Sequence, residues 1–563
     1  MPASDTRLPI DRWVDELARM SVAERHAAIE AYRFPANIGS LIREAAAQTP
    51  DTTALSFFEA GRTLTYAELD RMVDRVALAL AAQGVAFGDK VGVMLPNIPE
   101  FPLCWLALMR IGAVMVPVNL RYTGRELAYV LDDSQARFLV IHDTCAEQLR
   151  AARAGAAGSF PADERIVLVG AAAGGALARF EDIVAATAEG GRYEGVEPGH
   201  DTLANIQYTS GTTGFPKGCM LTHDYWLLLA LSAAAGMGAD AVKRSLLWAP
   251  FFYMDPQWQL LMSMKLGAVA YIAERLSLSR FFDWVREHRI HYTYFPEAVL
   301  KSLPRSDADK TIALRYINAF GWSPEGIAEV EERFGLIARD SFGMTEIGAG
   351  MMMPHAATHK LQSRSCGLPA PFREVRVVDA DGQPCPPGTP GELQVRGRSI
   401  LWGYYKNPAA NAGAFDGGWF RTGDLFTRDD EGYLRIVGRI KDMIRRSGEN
   451  ISAREVEAVA NAHPEVEESA AVPVPDPLRK EEVKIYLKLR EGVVADAFDM
   501  DAFLAHCAQH LAAFKVPRYV GFVDSFPRTA SHKISKPALI AASDGLRHGS
   551  YDRSEGKWHQ PAP

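Results

Sequence analysis

The chain has 563 residues, too many for one compact core, so at least two domains are expected. Hydrophobic residues make up 48% and charged residues 23%, as in ordinary globular proteins, and a net charge of -8 gives no basis for nucleic-acid binding. We find no apolar run of about 18 residues for a membrane span and no secretory signal pattern. The six cysteines lack metal-ligand spacing, which favours a reducing compartment, the cytoplasm.

The N-terminal half has the pattern of an α/β protein. Residues 1 to about 35 mix apolar and charged positions and predict one or two amphipathic helices on the surface of the main domain. From Lys90 onward, apolar strand-like runs alternate with helical segments, which predicts a parallel sheet covered by helices. The segment from Ala151 to Arg192 is rich in Ala and Gly and is predicted to be connecting structure.

Residues 208–218, with the sequence YTSGTTGFPKG, are called here the phosphate loop, and they follow an apolar strand predicted at 203–208. Glycines let the backbone turn tightly towards an anion, hydroxyls donate hydrogen bonds, and a lysine adds a positive charge. An ordinary surface loop is the alternative, and the spacing differs from that of the P-loop GxxxxGK[ST]. The predicted nucleotide-binding residues are Thr209, Ser210, Gly211, Thr212, Thr213, Gly214 and Lys217.

Aromatic residues are dense after the next predicted strand, in the stretch 251–258 with the sequence FFYMDPQW. Such density is usual in a core, but open α/β sheets bind ligands at strand ends, so a pocket wall is an equal alternative. Asp255 suits a substrate ammonium group or, equally, a helix cap. The predicted substrate pocket comprises Trp248, Phe252, Tyr253, Asp255, Trp258 and Trp322.

Four motifs together resemble those of the adenylate-forming superfamily, which includes acyl-CoA synthetases. They are the phosphate loop, DSFGMTE at 340–346, WFRTGD at 419–424 and PRTASHK at 527–533, and the resemblance covers roughly residues 40 to 540. It implies a large α/β N-terminal domain, residues 1–440, with parallel sheets and a distorted β-barrel near 388–426. It also implies a smaller mobile α+β C-terminal domain, residues 441–563.

The resemblance also assigns roles in nucleotide binding. Thr345 is expected to face the α-phosphate, and Glu346 with Thr209 is expected to hold Mg²⁺, for which one carboxylate among several waters is sufficient. Asp424 is expected to accept hydrogen bonds from both ribose hydroxyls, since a carboxylate is an acceptor only. Arg439 is expected to approach the same ribose.

Three further roles fall in the C-terminal part. Lys441 occupies the family's hinge position, and Gly448, Glu449 and Asn450 resemble a loop that lines the coenzyme A tunnel. Lys533 matches the family's catalytic lysine, and His532 stands where the family has glycine. Lys536 lies three residues later and must be distinguished from Lys533. Tyr253 stands where the family commonly has histidine.

The motifs predict ATP-dependent activation of a carboxylic acid to an acyl-AMP, followed by transfer to coenzyme A, with Mg²⁺ as the metal. Two alternatives stay open at this stage: an adenylation enzyme that loads a separate carrier protein, and an inactive homologue that only binds. The acid, the role of residues 1–35 and the choice between monomer and homodimer are also open.

Overall fold

The computed structural model describes residues 8–155, 160–171, 177–209, 216–237, 242–446, 449–511, 513–529, 533–543 and 546–559. The chain forms two compact units. The large unit comprises Met1–Val375 and Val395–Phe420, and the small unit comprises Arg376–Gln394 and Arg421–Pro563. These units are defined by compactness alone. The boundary at residue 440 between a fixed and a mobile domain stays a prediction.

The helices of the described ranges begin and end as follows, in chain order: α1 Pro9–Ala18, α2 Val22–Glu30, α3 Ile38–Gln48, α4 Tyr66–Ala82, α5 Glu100–Ile111, α6 Gly124–Ser134, α7 Ala146–Gly155, α8 Phe180–Ala185, α9 His223–Gly236, α10 Met254–Lys265, α11 Phe281–Glu287, α12 Glu297–Ser302, α13 Pro324–Phe334, α14 Pro408–Ala414, α15 Ala453–Asn461, α16 Met500–His510 and α17 Lys536–Ala541. None of them combines the length and the apolar character needed to cross a bilayer.

The strands of the same ranges are β1 Thr53–Phe57, β2 Arg62–Thr65, β3 Lys90–Met94, β4 Val114–Pro117, β5 Phe138–His142, β6 Ile166–Val169, β7 Ala178–Arg179, β8 Leu203–Thr209, β9 Lys217–Thr222, β10 Arg244–Leu247, β11 Val269–Ile272, β12 Tyr292–Tyr294, β13 Tyr316–Asn318, β14 Ile337–Arg339, β15 Ser341–Met344, β16 Gly348–Met352, β17 Leu368–Pro369, β18 Arg373–Val378, β19 Gly391–Gly397, β20 Phe415–Asp416, β21 Trp419–Arg428, β22 Leu434–Arg439, β23 Met443–Arg446, β24 Glu449–Ser452, β25 Val466–Asp476, β26 Lys480–Leu489, β27 Tyr519–Phe522, β28 Ser550–Asp552 and β29 Lys557–His559.

Two sheets of mainly parallel strands form the frame of the large unit. The first has the order β7-β6-β5-β3-β4-β8-β9, in which only the β8–β9 pair is antiparallel. The second has the order β14-β13-β12-β10-β11-β1-β2, with β1–β2 as its antiparallel pair. The predicted parallel α/β architecture is confirmed.

The prediction that the segment from Ala151 to Arg192 is connecting structure is partly wrong. This segment contains β6 and β7, which extend the first sheet beyond β5. Its strand Ile166–Val169 is only four residues long and lies within Ala- and Gly-rich sequence, so its local pattern is weak. All four of its residues are buried, as is usual for a strand in a parallel sheet whose two faces are both covered.

The N-terminal helices α1 and α2 pack on α9 through a small apolar cluster. Leu17 and Ile29 contact Ala235, with Trp13, Met20 and Phe372 at the edge. Polar contacts add to this, because the Lys243 ammonium lies 2.8 Å from the Asp11 carboxylate and the Phe372 N–H donates to Glu30. The predicted amphipathic helices are therefore present and are attached to the large unit.

The small unit has its own core and its own mainly antiparallel sheet. That sheet has the order β24-β23-β26-β27-β28-β29, with β25 paired along β26. Helices α15 and α16 cover one face, where Val456 and Phe503 are fully buried. Strands β18 to β22 occupy residues 373–439, which include the stretch 388–426 where a distorted β-barrel was predicted, and the division between the two units falls within this range.

Candidate active site

The phosphate loop joins the two strands of a hairpin. Strands β8 and β9 pair in antiparallel register, and Thr209 lies directly opposite Lys217. The predicted residues Ser210, Gly211, Thr212, Thr213 and Gly214 lie outside the described residues. Gly218 has a packing role, since a Cβ there would lie 2.5 Å from a methyl carbon of Ile206. The fold therefore brings a hydroxyl and an ammonium to the base of the loop.

A buried polar cluster lies beside this hairpin. The thiol of Cys219 is hydrogen-bonded to the side chains of both Thr209 and Glu346, and burial raises its pKa well above the ordinary value, so it is neutral. The Tyr404 hydroxyl donates to Glu346 Oε1 at 3.0 Å. Lys217 Nζ lies 4.9 Å from the centre of the Tyr404 ring. Glu346, predicted from a separate motif, is thus adjacent to Thr209 and Lys217.

Thr345, Glu346 and Ile347 form the turn between β15 and β16, called here the catalytic turn. Gly348 follows with φ of +66°, a conformation that favours glycine. Thr345 Oγ1 lies 3.7 Å from the Met254 sulfur at the start of α10. The catalytic turn therefore lies between the β8–β9 hairpin and the start of α10, the helix that begins within the aromatic stretch.

The donors at the base of the phosphate loop suit magnesium. This ion prefers oxygen ligands and is usually held by one or two protein carboxylates together with waters. Glu346 supplies a carboxylate that is 7% exposed, and Thr209 supplies a hydroxyl bonded to the same thiol. The residues present fit the predicted metal.

Part of the predicted substrate pocket surrounds the start of α10. Tyr253 precedes the helix, its ring centre 4.6 Å from that of Phe252, and Asp255 lies in the first turn. Burial raises the pKa of Tyr292 and Tyr294, and the negative charge of Asp255 adds to both shifts. The carboxylate of Asp255 is therefore close to the aromatic residues of β12.

The two outlying tryptophans of the predicted pocket lie against the hydrophobic core of the second sheet. Trp322 is 7% exposed, and its indole N–H donates to the Phe295 carbonyl at 3.2 Å. Trp248 packs at the edge of the same cluster and donates to the Tyr294 carbonyl at 2.5 Å. The structure thus assigns Trp322 a core contact, and its role as a pocket wall stays a prediction.

Asp424 and Arg439 lie opposite one another on β21 and β22 of the small unit. Arg439 Nε donates to Asp424 Oδ1 at 3.0 Å. Burial raises the pKa of the Asp424 carboxyl, while the charges of Arg439, Arg454 and Lys533 act in the opposite direction. The predicted ribose carboxylate, its arginine and the predicted catalytic lysine therefore lie near one another within one unit.

The structure distinguishes the two candidate lysines. Lys533 is exposed. Its carbonyl accepts from the Thr529 N–H at 2.8 Å, and its N–H donates to the Thr529 hydroxyl at 3.3 Å. Lys536 instead begins α17, and its Nζ lies 2.7 Å from Glu457 Oε1, with both side chains more than four-fifths buried. His532 lies outside the described residues. A lysine held in a buried ion pair is a poor candidate for binding a substrate, which favours Lys533.

The predicted hinge and coenzyme A residues follow β22. Lys441 belongs to a 3₁₀ turn, Ile440–Asp442, and the hairpin β23–β24 comes next. Glu449 and Asn450 lie in β24, and Gly448 lies outside the described residues. Arg446, the last residue of β23, donates from Nε to the Glu482 carboxylate at 2.6 Å.

Comparison with known proteins decides the family. Residues 42–405 match the family model described as AMP-binding enzyme, and residues 455–533 match the AMP-binding enzyme C-terminal domain. The chain belongs to the AMP-binding enzyme family. As a member of this family, it is an adenylate-forming ligase of the acyl-CoA synthetase type.

Curated relatives of this family member cover almost the whole chain. A feruloyl-CoA synthase from an Amycolatopsis species is 33% identical over 506 residues, which are 89% of this chain and 97% of the relative. A crotonobetaine/carnitine–CoA ligase from Salmonella choleraesuis is 32% identical over 509 residues, which are 87% and 96% of the two chains.

Solved structures of the family share the fold. The o-succinylbenzoate CoA synthetase from Bacillus subtilis, in complex with its acyl-adenylate intermediate, has a TM-score of 0.78 and 26% identity. The match covers 91% of this chain and 100% of that one. A structure of the same enzyme in complex with ATP and a magnesium ion has a TM-score of 0.76 and 26% identity, and the match covers 89% and 99% of the two chains.

Sequence reasoning missed two members of the polar cluster, Cys219 and Tyr404. Residues 402–405 run beside β9, with hydrogen bonds from Trp402 to Met220 and from Tyr405 to Gly218. This pairing joins segments about 180 residues apart in the chain, so no local pattern in the sequence indicates it.

Proposed function

We propose that this AMP-binding enzyme activates a carboxylic acid with ATP and transfers the acyl group to coenzyme A. The observation that carries the proposal is the cluster of Thr209, Lys217 and Glu346, which two separate motifs bring to one end of a hairpin. Such a group of hydroxyl, ammonium and carboxylate suits a triphosphate with its metal.

The chemistry requires positioning and charge neutralisation. The acid's carboxylate attacks the α-phosphorus of ATP, the bond to the bridging oxygen breaks, and pyrophosphate leaves with its electron pair. Lys217 and the hydroxyls of the phosphate loop would hold the phosphates, and Thr345 would donate to the α-phosphate. Mg²⁺, held by Glu346 and Thr209, would neutralise phosphate charge. Asp424 and Arg439 would fix the ribose, and Lys533 would bring the two anions together.

In the second step, a thiol attacks the acyl carbon and AMP leaves. Coenzyme A is the proposed thiol, because the relatives reported above are a feruloyl-CoA synthase and a crotonobetaine/carnitine–CoA ligase. Its proposed contacts are Gly448, Glu449 and Asn450. We propose the cytoplasm as its location, since the six cysteines, all within the described residues, are buried thiols without a disulfide.

A panel of carboxylic acids, scored by pyrophosphate release, tests the proposal. Aromatic, medium-chain and betaine acids would each be supplied with ATP and Mg²⁺, then with coenzyme A or a phosphopantetheinylated carrier protein. Thioester formation with coenzyme A supports the proposal. Transfer only to the carrier would favour the carrier-loading alternative, and no pyrophosphate with any acid would favour an inactive homologue.

A betaine is a second candidate acid, and the position of Asp255 favours it. Its carboxylate lies near Tyr292 and Tyr294 and accepts from the indole N–H of Trp258 at 3.4 Å. Aromatic faces and a carboxylate together suit a quaternary ammonium group. One relative is named as a crotonobetaine/carnitine–CoA ligase, whereas another is named for the uncharged aromatic feruloyl group.

Replacing Asp255 with asparagine separates these two classes. If the pocket takes a betaine, kcat/KM for betaines should fall about 10-fold, or about 1.4 kcal/mol, relative to neutral aromatic acids, since the attraction between the ammonium and the carboxylate is lost while the aromatic contacts remain. The measurement is the ratio of kcat/KM values for matched charged and neutral acids. Asp283→Asn, which changes an exposed carboxylate on α11, is the control. An unchanged ratio in Asp255→Asn would reject the betaine.

Replacing Lys441 with proline tests the proposed hinge. Proline fixes φ near about −65°, so it should hold the backbone in one of the two arrangements that successive half-reactions require. We expect one half-reaction to be lost more than the other by about 10-fold or more, measured separately as pyrophosphate release and as thioester formation from supplied acyl-AMP. Lys441→Ala keeps backbone freedom and is the control. Equal losses in both half-reactions would contradict a hinge.

A further inference from the structure

Two buried side chains hold the catalytic turn by its backbone. The Tyr225 hydroxyl, on α9, donates to the Thr345 carbonyl at 3.0 Å. Arg373, at the start of β18, donates to the Ile347 carbonyl from Nε at 3.0 Å and from Nη2 at 2.7 Å. These two carbonyls belong to the residues on either side of Glu346, so the backbone is fixed directly before and after the carboxylate.

The contacts are close on all sides of the turn. A Cβ added to Gly348 would lie 3.5 Å both from Arg373 Nη2 and from the Tyr225 ring. Tyr225 and Arg373 are 1% and 7% exposed. The two side chains are therefore buried against the catalytic turn.

Arg373 also joins the turn to a second segment of the large unit. Its Nη1 donates to the carbonyl of Arg398 at 2.6 Å and to that of Phe372 at 3.1 Å. A guanidinium is planar and carries its N–H groups in a fixed fork, so binding three carbonyls at once defines their relative positions. A lysine would supply the charge without this geometry.

We infer that Tyr225 and Arg373 are positioning residues for the adenylation step, and that they set the position of the Glu346 carboxylate relative to Thr209. At this site both side chains donate to backbone carbonyls of the catalytic turn, so both act through its backbone. The inference rests on the proposed function, because it concerns the magnesium and nucleotide site assigned there to Glu346 and Thr209.

The variants are Tyr225→Phe, Arg373→Lys and Arg373→Met, each with a matched control elsewhere in the large unit. Tyr66 is also buried and donates to the carbonyls of Ser263 and Ala268, so Tyr66→Phe removes similar bonds away from the site. Arg333 is buried and donates to the carbonyls of Leu303 and Pro304, so Arg333→Met is the arginine control.

The experiment measures how nucleotide binding and the reaction rate depend on the Mg²⁺ concentration. Binding of a non-hydrolysable ATP analogue is measured by calorimetry with and without Mg²⁺, alongside the Mg²⁺ concentration that gives a half-maximal rate. We expect the Mg²⁺-dependent gain in analogue affinity to fall about 5- to 30-fold in Tyr225→Phe and Arg373→Met, as for the loss of a buried hydrogen bond. Arg373→Lys should fall between Arg373→Met and the unmodified protein.

The outcomes separate the inference from the proposed function. If the unmodified protein shows no Mg²⁺-dependent binding of the analogue, the proposed function fails. If it does, and Tyr225→Phe and Arg373→Lys keep the same magnesium dependence while losing thermal stability like the controls, the two residues are structural and the inference fails. A shift in magnesium dependence that the control variants lack would support it, even if Arg373→Met does not fold.

Discussion

Replacing Lys533 with alanine is expected to lower pyrophosphate release by about 10²- to 10³-fold, the range for removing one well-placed stabilising donor. The physical reason is that the first step joins two anions, the substrate carboxylate and the α-phosphate, and the ammonium offsets their repulsion. The second step lacks this requirement, so conversion of supplied acyl-AMP to thioester should continue. The measurement is the rate of each half-reaction, run separately.

Lys536→Ala is the matched control for this experiment. Lys536 is paired with Glu457, whose carboxylate also accepts from the Ala471 N–H, so its loss should lower thermal stability. A larger adenylation defect in Lys536→Ala than in Lys533→Ala would show that the wrong lysine was chosen. His532→Gly completes the set, and a slower adenylation in that variant would indicate that the imidazole contacts a phosphate or carboxylate.

Replacing Asp424 with alanine is expected to lower kcat/KM for ATP by about 10²-fold. Two ribose hydroxyls would lose their acceptor, and a hydrogen bond to a charged group is worth about 1.5–3 kcal/mol. The measurement compares ATP with 2′-deoxy-ATP and 3′-deoxy-ATP. The unmodified protein should discriminate strongly against both analogues, and Asp424→Ala should discriminate little. Unchanged discrimination in the variant would contradict the ribose role.

Asp424→Asn controls for folding in this experiment. Burial raises the pKa of Asp424, so the ionised carboxylate costs folding free energy, and the cost grows as the pH rises through the folded-state pKa. The asparagine variant should therefore unfold at a temperature equal to or above that of the unmodified protein at neutral pH. At a pH below the ordinary aspartate pKa of about 3.8, where both forms are neutral, this advantage should disappear.

Local patterns predicted most of the frame correctly. The strand before the phosphate loop was predicted at Leu203–Tyr208 and is β8, Leu203–Thr209. Helix α4 begins with a capping box of Thr65 and Glu68, a feature that two residues three positions apart determine. Strands β6 and β7 were missed, since their burial comes from neighbours distant in sequence.

The site shows the same contrast between local motif and long-range packing. Thr209, Lys217 and Glu346 were predicted from motifs, and the fold brings them together. The neighbours that surround them, Cys219, Tyr404, Tyr225 and Arg373, follow from strand pairing and helix packing over long stretches of chain. Trp322 was predicted as a pocket wall because it follows a strand; it packs in the core cluster of the second sheet, and the pocket role stays a prediction.

The attachment of α1 and α2 has a practical consequence for truncated versions of the protein. The family match begins at residue 42, after both helices. A fragment cut at that point would uncover Ala235 and Phe372 and leave Lys243 without Asp11. Newly exposed apolar surface promotes self-association. Truncated versions made for expression or crystallisation should therefore keep the N-terminal helices, even though the motifs for catalysis all follow them.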